Sequence, residues 1–213
     1  MKRKFIIMNT ILGIILITAI IAGPVMSNVE KPNYQIIDKS NDIEIRQYKP
    51  SLIAEVEISG DRKDAISDGF RLLADFIFGN NKLQNLTISK QDKKDDHKIA
   101  MTAPVEQQAS GTNWKVNFIM PEEYDLNSIP LPNNPAVKLK EIRSKTFIVI
   151  KFSGTSSDKN LAEHEKELRA YIQTQNIEII EPAKYAFYNP PWTVPLLRRN
   201  EVMFEIKKAD LDE

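Results

Sequence analysis

Two histidines are the first candidates for metal or acid–base chemistry, because an imidazole can ligate a metal or transfer a proton near neutral pH. His97 lies in the charged stretch DDHKIA, where a solvated loop histidine is expected. His164 borders the apolar face of a helical run, and its string HEKEL lacks the second histidine of a zinc-protease helix. The two histidines are far apart and the chain has no cysteine. We therefore predict no metal site.

The serines and threonines offer no nucleophile with the partners that catalysis requires. Ser67 and Thr102 have no histidine base and orienting carboxylate at motif spacing. With seven glycines in 213 residues, the chain also has no glycine-rich phosphate loop. Basic and acidic residues balance at 29 each, and no basic stripe is interleaved with aromatic residues, which argues against nucleic-acid binding. The sequence favours a binding protein over an enzyme.

Two other side chains could ligate iron in principle. Met101 carries a thioether and Tyr188 a phenol. Met101 lies in phase with Ile99, Ala103 and Val105, which predicts packing in the core. Tyr188 begins a proline-rich turn, where a packed ring is expected. Neither residue is predicted to be a ligand.

The N-terminal segment, residues 1–29, is set apart from the rest of the chain. The basic residues of MKRK precede an apolar run from Phe5 to Ala22, which as a helix would span roughly 27 Å, close to the thickness of a bilayer core. It is either a cleaved signal peptide or an uncleaved membrane anchor, in which case residues 5–22 hold the chain at the membrane. In both cases residues 30–213 are expected on the extracytoplasmic side, the periplasm in a bacterium.

Alternation of apolar and polar residues predicts strands through most of the remaining chain. The clearest example is the run from Leu52 to Ile58, in which Glu55 and Glu57 point to the other face. The predicted strand segments are 43–45, 52–58, 98–106, 114–121, 137–142, 145–154, 177–180, 184–188 and 201–207.

Apolar residues at helical spacing predict two helices, over 61–81 and 156–177. Asp61 or Asp64 can cap the first helix, and Ser157 or Asp158 the second. The predicted core face of the first helix consists of Ile66, Phe70, Leu73 and Ile77. The polar stretch 82–98 is predicted to be a surface loop.

The two helices divide the chain into halves with the same order of elements. IAEVEISG (53–60) precedes the first helix and IVIKFSG (148–154) the second. Each half reads strand–strand–helix–strand–strand, and two such units need each other to bury their sheet faces. The predicted fold is α+β, a distorted antiparallel β-barrel or curved sheet from two pseudo-symmetric βαββ-type halves with two packed helices.

A proline-rich segment, YNPPWTVP (188–195), precedes the last strand. Proline fixes φ and removes a donor, so this segment cannot pair as an interior strand. We predict a stiff crossover whose Trp192 covers an open end of the barrel.

Three segments, in order along the chain, resemble the signature stretches of the SOUL haem-binding family. They are KIAMTAPV (98–105), NFIMPEEY (117–124) and YNPPWTVPLLRRNEV (188–202). The resemblance covers roughly residues 33–207 and implies a bacterial member with a distorted β-barrel as a single domain over 30–213. It implies non-covalent binding of haem or another tetrapyrrole by a carrier, buffer or sensor.

The resemblance further implies that the macrocycle packs against the first helix while cations meet its propionates. The cofactor-binding residues predicted on this basis are Ser67, Phe70, Arg71, Leu73, Ala74, Ile77, Arg198 and Arg199. The last two would point to opposite faces at a strand start, so only one could face a pocket. The other interpretation is that one of them pairs with an acidic neighbour.

Several positions depart from the family pattern. Gln47, in EIRQY, stands where one branch has a proposed axial histidine, and an amide oxygen is a poor iron ligand beside imidazole. Ser67, Asp75 and Thr193 stand where another branch has basic residues credited with holding propionates. We therefore predict a haem held by packing, with weak or no axial ligation by the protein.

Other functions stay open. The double βαββ plan also resembles the effector domains of bacterial multidrug-sensing regulators, which need a buried acid for apolar cations, and Asp75 would be that acid. An enzyme acting on a tetrapyrrole or an ester is the less expected alternative. A role in stability or interaction at the membrane, without a ligand, is a further one.

Overall fold

The computed structural model describes residues 29–84 and 97–207. Within these ranges the chain forms eleven strands and two helices, whose bounds in chain order are β1 Tyr34–Ser40, β2 Ile43–Tyr48, β3 Ser51–Ser59, α1 Arg62–Ile77, β4 Asn81–Lys82, β5 Val105–Ser110, β6 Asn113–Ile119, β7 Leu131–Pro132, β8 Lys138–Ile142, β9 Lys145–Phe152, α2 Asp158–Thr174, β10 Ile179–Phe187 and β11 Asn200–Ile206. The predicted signal peptide or anchor lies outside the described residues except for its last position, and so does most of the predicted surface loop. Neither helix in the described ranges has the length and apolar character that a membrane crossing requires.

Nine of these strands form one antiparallel sheet, in the order β1-β2-β9-β11-β10-β5-β6-β3-β8. β4 and β7 form a separate two-stranded sheet. The large sheet is curved but not closed, because β1 and β8 end it without pairing to each other. The predicted α+β class and curved sheet are confirmed. The sheet does not close into the barrel that was the other predicted form.

Two short connections bring the ends of the curved sheet together and leave one face concave. β2 pairs with β9 near one end of the sheet, and β3 pairs with β8 at the other. The chain passes from β2 to β3 through Lys49 and Pro50, and from β8 to β9 through Arg143 and Ser144. Ser144 Oγ donates to Tyr48 O at 2.9 Å, which joins the two connections.

The order of elements repeats along the chain. The first half contains, in order, β3, α1, β5 and β6. The second half contains β9, α2, β10 and β11, which is the same order if the two-residue β4 is left out. In both series the last strand lies between the other two in the sheet. Gly60 and Gly154 precede the two helices with φ of +104° and +103°, values that an L side chain adopts only with strain. The repeated order is as predicted, and two-fold symmetry between the halves stays a prediction.

α1 packs against β3 and β6 around the first cluster of buried apolar residues. Gly69 permits a close approach, because a Cβ at this position would lie 2.7 Å from Val116 Cβ. Leu73 and Ile77, two residues of the predicted core face, are buried. Asp61 occupies the N-cap position, as predicted, but its side chain makes no capping hydrogen bond.

α2 packs against β9 and β11 around a second apolar cluster. Its buried residues are Leu161, Leu168 and Ile172. Ser157, one of the two predicted caps, accepts a hydrogen bond from Asn160 N at 3.3 Å. The starts of the two helices are joined, because Arg62 donates to Asp158 at 2.6 Å and to Ser156 O at 2.7 Å.

Two predictions about single side chains are wrong. Met101 is 39% exposed rather than packed in the core. Residues 98–104 do not form the predicted strand, since β5 begins only at Val105. Side chains in this segment therefore do not alternate between a buried and an exposed face. Trp192 is 59% exposed and covers no barrel end, because the sheet is not closed.

Candidate functional site

The eight predicted cofactor-binding residues lie in three environments. Leu73 and Ile77 are buried in the core beneath α1. Arg198 and Arg199 lie at the end of the proline-rich crossover. The remaining residues, which are exposed or half-buried along one side of α1, are Ser67, Phe70, Arg71 and Ala74.

Phe78 extends this exposed side of α1 by one more turn. Residues 67, 71, 74 and 78 are separated by four, three and four positions, so they lie on one side of the helix. Phe78 is 55% exposed and Phe70 37%, and the Phe70 ring contacts Phe118 with 5.4 Å between ring centroids. We refer to Ser67, Phe70, Arg71, Ala74 and Phe78 as the α1 stripe. Sequence reasoning missed Phe78, although its spacing from Ala74 and Arg71 was readable.

The α1 stripe carries one cation that can reach a ligand anion. Arg71 forms an ion pair with Asp68, and both side chains are exposed. Exposed ion pairs contribute about 0–1 kcal/mol, so Arg71 can exchange Asp68 for a ligand carboxylate at little cost. Asp75, the predicted acid of the multidrug-type alternative, is exposed and accepts a hydrogen bond from Asn80.

Arg198 holds the proline-rich crossover in place. Its Nε donates to Thr193 O at 2.7 Å, and its Nη2 donates to Pro191 O. Gly154 N donates to Pro195 O at 2.8 Å, which fixes the crossover next to the start of α2. The guanidinium of Arg198 is therefore occupied by the chain's own carbonyl groups.

Arg199 pairs with an acidic neighbour, as one interpretation of the arginine pair predicted. Its Nη2 lies 2.7 Å from Glu201 Oε1, and its guanidinium carbon lies 3.9 Å from the centre of the Tyr188 ring. Glu201 has no exposed surface. Tyr188 is buried, as predicted.

Glu201 belongs to a buried charge network on the concave face. Arg46, 1% exposed, donates to Glu201 at 2.9 Å and to Glu44 at 2.7 Å. Tyr188 donates to the other Glu201 oxygen at 3.0 Å. Sequence reasoning missed this network, because Arg46 and Glu201 are 155 positions apart and meet only through the pairing of β2, β9 and β11.

The network shifts the pKa of Tyr188 and of Glu44 in opposite directions. Burial, together with the charge of Glu201, raises the pKa of Tyr188 well above its ordinary value, so the phenol remains a donor. Burial alone would raise the pKa of Glu44, but hydrogen bonds from Lys39 and Arg46 hold it below its ordinary value. Such a network is rigid and charged at neutral pH, and its polar groups satisfy one another.

Neither histidine is held in the α1 stripe. His164 stacks on Phe152 with 3.9 Å between ring centroids, and its Nδ1 lies 2.8 Å from Asn160 O. His97 lies beside the last turn of α1, because Asn81 Nδ2 donates to both His97 O and Phe76 O. Within residues 29–84 and 97–207, no group of three or more His, Asp or Glu side chains is arranged to hold a metal ion.

These contacts fit a flat apolar ligand with a carboxylate edge. Phe70, Ala74 and Phe78 offer exposed apolar surface, and Arg71 borders it with an available cation. Thr193, where the resemblance implied a propionate-binding position, is 2% exposed, and its Oγ1 has no hydrogen-bond partner within the described ranges.

Solved structures share the overall fold of this chain. The C-terminal domain of EcmrR is 11% identical, with a TM-score of 0.56 over 82% of this chain and 98% of that one. A hydrolase from Listeria innocua is 10% identical, with a TM-score of 0.50 over 80% of this chain and 94% of that one. An uncharacterized conserved protein from the same organism is also 10% identical, with a TM-score of 0.53 over 79% and 93% of the two chains. At these identities the similarity shows the fold alone.

No curated protein matches the sequence of this chain. The family comparison is more specific than the structural one. The SOUL heme-binding protein family matches residues 29–205, which include all three signature-like segments and nearly every described residue. This chain therefore belongs to the SOUL heme-binding protein family.

Proposed function

We propose that this protein binds haem or another tetrapyrrole non-covalently on the α1 stripe. The observation that carries the proposal is the family match over residues 29–205, in a chain whose first helix exposes two phenylalanines on one side. Exposed aromatic rings in line on a helix form a surface on which a flat macrocycle can lie.

The charge around the α1 stripe supports a ligand with carboxylates. Arg71 is the cation of the stripe, and both side chains of its pair with Asp68 are exposed. A charge-assisted hydrogen bond from Arg71 to a propionate would replace that pair. Arg198 and Arg199 remain with their own partners, Thr193 O and Glu201, so we assign them to the fold rather than to the ligand.

The crossover supplies a second exposed apolar surface near the starts of the helices. Its exposed apolar residues are Trp192, Val194, Leu196 and Leu197. Pro195 contacts Gly154 beside α2, and the start of α2 is bonded to Arg62 of α1. We propose that this surface covers the macrocycle face that the α1 stripe leaves open.

Hemin titration of the full-length chain, followed by the Soret band, tests the proposal. Phe70→Ala and Phe78→Ala together should weaken binding by about tenfold, since each removes about 0.5–1 kcal/mol of aromatic contact. Ile180→Ala is the matched control, because Ile180 is an exposed apolar residue on β10, away from α1. Unchanged binding in the double variant, or no Soret shift in the wild type, would contradict the site.

The physiological role that we propose is a haem carrier, buffer or sensor outside the cytoplasm. It rests on the apolar segment Phe5 to Ala22, which follows three basic residues. Fusion of a periplasm-dependent reporter enzyme after residue 207 tests the location. Reporter activity supports the proposal, and its absence in a stably expressed fusion contradicts it.

Binding, rather than catalysis or capture of cations, is the function that we favour. The multidrug-type alternative needs a buried acid, whereas Asp75 lies at the surface beside Asn80. Within the described ranges, the buried acids Glu44, Glu106 and Glu201 each have a cationic partner.

A further inference from the structure

A cleft of about 140 Å³ lies on the concave face of the sheet, opposite both helices. Strands from both ends of the sheet line it, because the β2–β3 and β8–β9 connections draw those ends together. The register places the lining side chains on one face, since Ile53 pairs with Ile119 and Lys184 with Met203. This cleft is separate from the α1 stripe, which lies on the helix side.

The floor of the cleft is apolar and well packed. Ile53, Ile119, Phe147 and Met203 line it, and each is less than 9% exposed. The Tyr48 ring meets the edge of Phe147 with 5.7 Å between ring centroids. An apolar ligand portion would find a preformed surface here.

The acidic groups of the cleft are already neutralised by cations. Lys145 lies 2.6 Å from Glu205, and Lys184 lies 3.0 Å from Glu106. Glu55, the third acid that lines the cleft, is paired with Lys140. A cationic ligand would have to displace one of these lysines.

The mouth of the cleft, by contrast, carries cations in excess. Lys49 lies on the β2–β3 connection and Arg143 on the β8–β9 connection, and the hydrogen bond from Ser144 to Tyr48 O holds these two connections together. Lys115 lines the cleft from β6. Within residues 29–84 and 97–207, none of these three cations forms an ion pair with an acid.

We propose that the cleft binds an amphiphilic carboxylate, a short apolar chain or ring with one carboxylate. The carboxylate meets Lys49 and Arg143, and the apolar portion lies on Phe147, Met203 and Ile119. The volume is smaller than the roughly 300–1,000 Å³ of clefts for drug-sized ligands, which favours a short ligand. The site is independent of the proposed tetrapyrrole site.

Calorimetric titration of the full-length chain with octanoate, below its micellar concentration, tests this site. Octanol and octyltrimethylammonium serve as neutral and cationic counterparts. We expect saturable binding of octanoate and at least tenfold weaker binding of the other two. A Lys49→Gln/Arg143→Gln double variant should weaken octanoate binding about tenfold, the loss expected for a charge-assisted contact.

Two control variants distinguish binding in the cleft from binding elsewhere on the molecule. Lys166→Gln removes an exposed cation of α2, and Phe78→Ala alters the α1 stripe; both should bind octanoate as the wild type does. The proposal is overturned if octanoate does not saturate, if octyltrimethylammonium binds equally well, or if the double variant binds unchanged. Weakening by Phe78→Ala would also overturn it, because octanoate would then occupy the α1 stripe. Hemin titration reports on the α1 stripe separately, so either proposal can fail alone.

Discussion

At the scale of single residues, Arg46 is the charge on which the buried network depends. It lies between Glu44 and Glu201, and all three residues are buried. Removing one partner of a buried ion pair leaves the other charge without compensation, which costs about 3–5 kcal/mol. The network therefore links β2 to β11 across the intervening β9 through charge rather than through apolar contact.

We expect Arg46→Met to lower the free energy of unfolding by about 3 kcal/mol, the lower end of the range for a broken buried ion pair, because Glu44 keeps Lys39 and Glu201 keeps Arg199 as a partner. Chemical denaturation of the purified chain measures this loss. Arg71→Met is the matched control, because its ion pair with Asp68 is exposed and should cost at most about 1 kcal/mol. Equal losses in the two variants would show that the network does not stabilise the fold.

Glu44 gives the same network a dependence on pH. Its pKa in the folded chain is held below the ordinary value of 4.5 by Lys39 and Arg46, despite its burial. A carboxyl group with a lowered folded pKa stabilises the fold above its unfolded pKa, and this stability is lost as the pH falls through the folded value. The stabilisation from Glu44 should therefore be complete above about pH 5 and decline below pH 4.5.

Melting temperatures of the wild type and Glu44→Gln between pH 3 and pH 7 check this expectation. The difference between the two proteins should be largest near neutral pH and should shrink below pH 4.5. Glu163→Gln, at an exposed position of α2, is the control for loss of an acid alone. A difference for Glu44→Gln that stays constant over the range contradicts the predicted linkage.

At the scale of elements, α1 is placed by its closest contact with the sheet. Gly69 faces Val116 of β6, and a methyl group at position 69 would lie 2.7 Å from Val116 Cβ. Because the Cβ of a valine in a strand cannot rotate away, the helix itself would have to move. The α1 stripe lies on the same helix, so such a movement would shift Phe70 and Phe78 as well.

We expect Gly69→Ala to destabilise the fold although alanine is the better helix former. The gain in helix propensity is about 1 kcal/mol, whereas overpacking costs about 1–3 kcal/mol. Thermal unfolding should show a lower melting temperature for Gly69→Ala and an unchanged or slightly higher one for Ser67→Ala, an exposed position of the same helix. A higher melting temperature for Gly69→Ala would mean that α1 does not lie this close to β6.

The elements were largely predictable from the sequence because their periodicity is local. The period of 3.6 residues identified Leu73 and Ile77 as core residues, and Ser157, one of the two predicted caps, occupies the N-cap position of α2. Periodicity failed at Met101, because the segment that contains it lies between strands rather than in one. A short apolar alternation does not show whether backbone pairing exists.

The candidate site was less predictable, because it depends on which strands become neighbours. The sequence identified the exposed side of α1 only in part, and it left open whether one of Arg198 and Arg199 meets a ligand or pairs with an acidic neighbour. Their actual partners are carbonyl groups of the crossover and the buried Glu201. The register that brings β2, β9 and β11 together is set by long-range pairing, which no local pattern encodes.

At the scale of the whole molecule, the curved sheet separates the two proposed binding sites. The helix side presents the aromatic α1 stripe, and the concave side presents an apolar floor with a cationic mouth. A core filled by two apolar clusters lies between the sheet and the helices. Ligands on the two faces would therefore contact different residues of one rigid scaffold.

This arrangement makes a specific prediction about iron. We propose that packing on Phe70 and Phe78 and the contact with Arg71 hold the tetrapyrrole, and none of these contacts involves the iron. The affinities for metal-free protoporphyrin IX and hemin should therefore agree within about threefold, a difference in binding free energy of less than about 0.7 kcal/mol. Fluorescence quenching of Trp114 and Trp192 measures both ligands in the same way. His97→Ala, at the histidine beside the last turn of α1, should leave both affinities and the Soret maximum of bound hemin unchanged. A different result would establish His97 as an axial ligand, since imidazole ligation depends on the iron. In that case hemin would bind far more tightly than protoporphyrin, and His97→Ala would remove this difference.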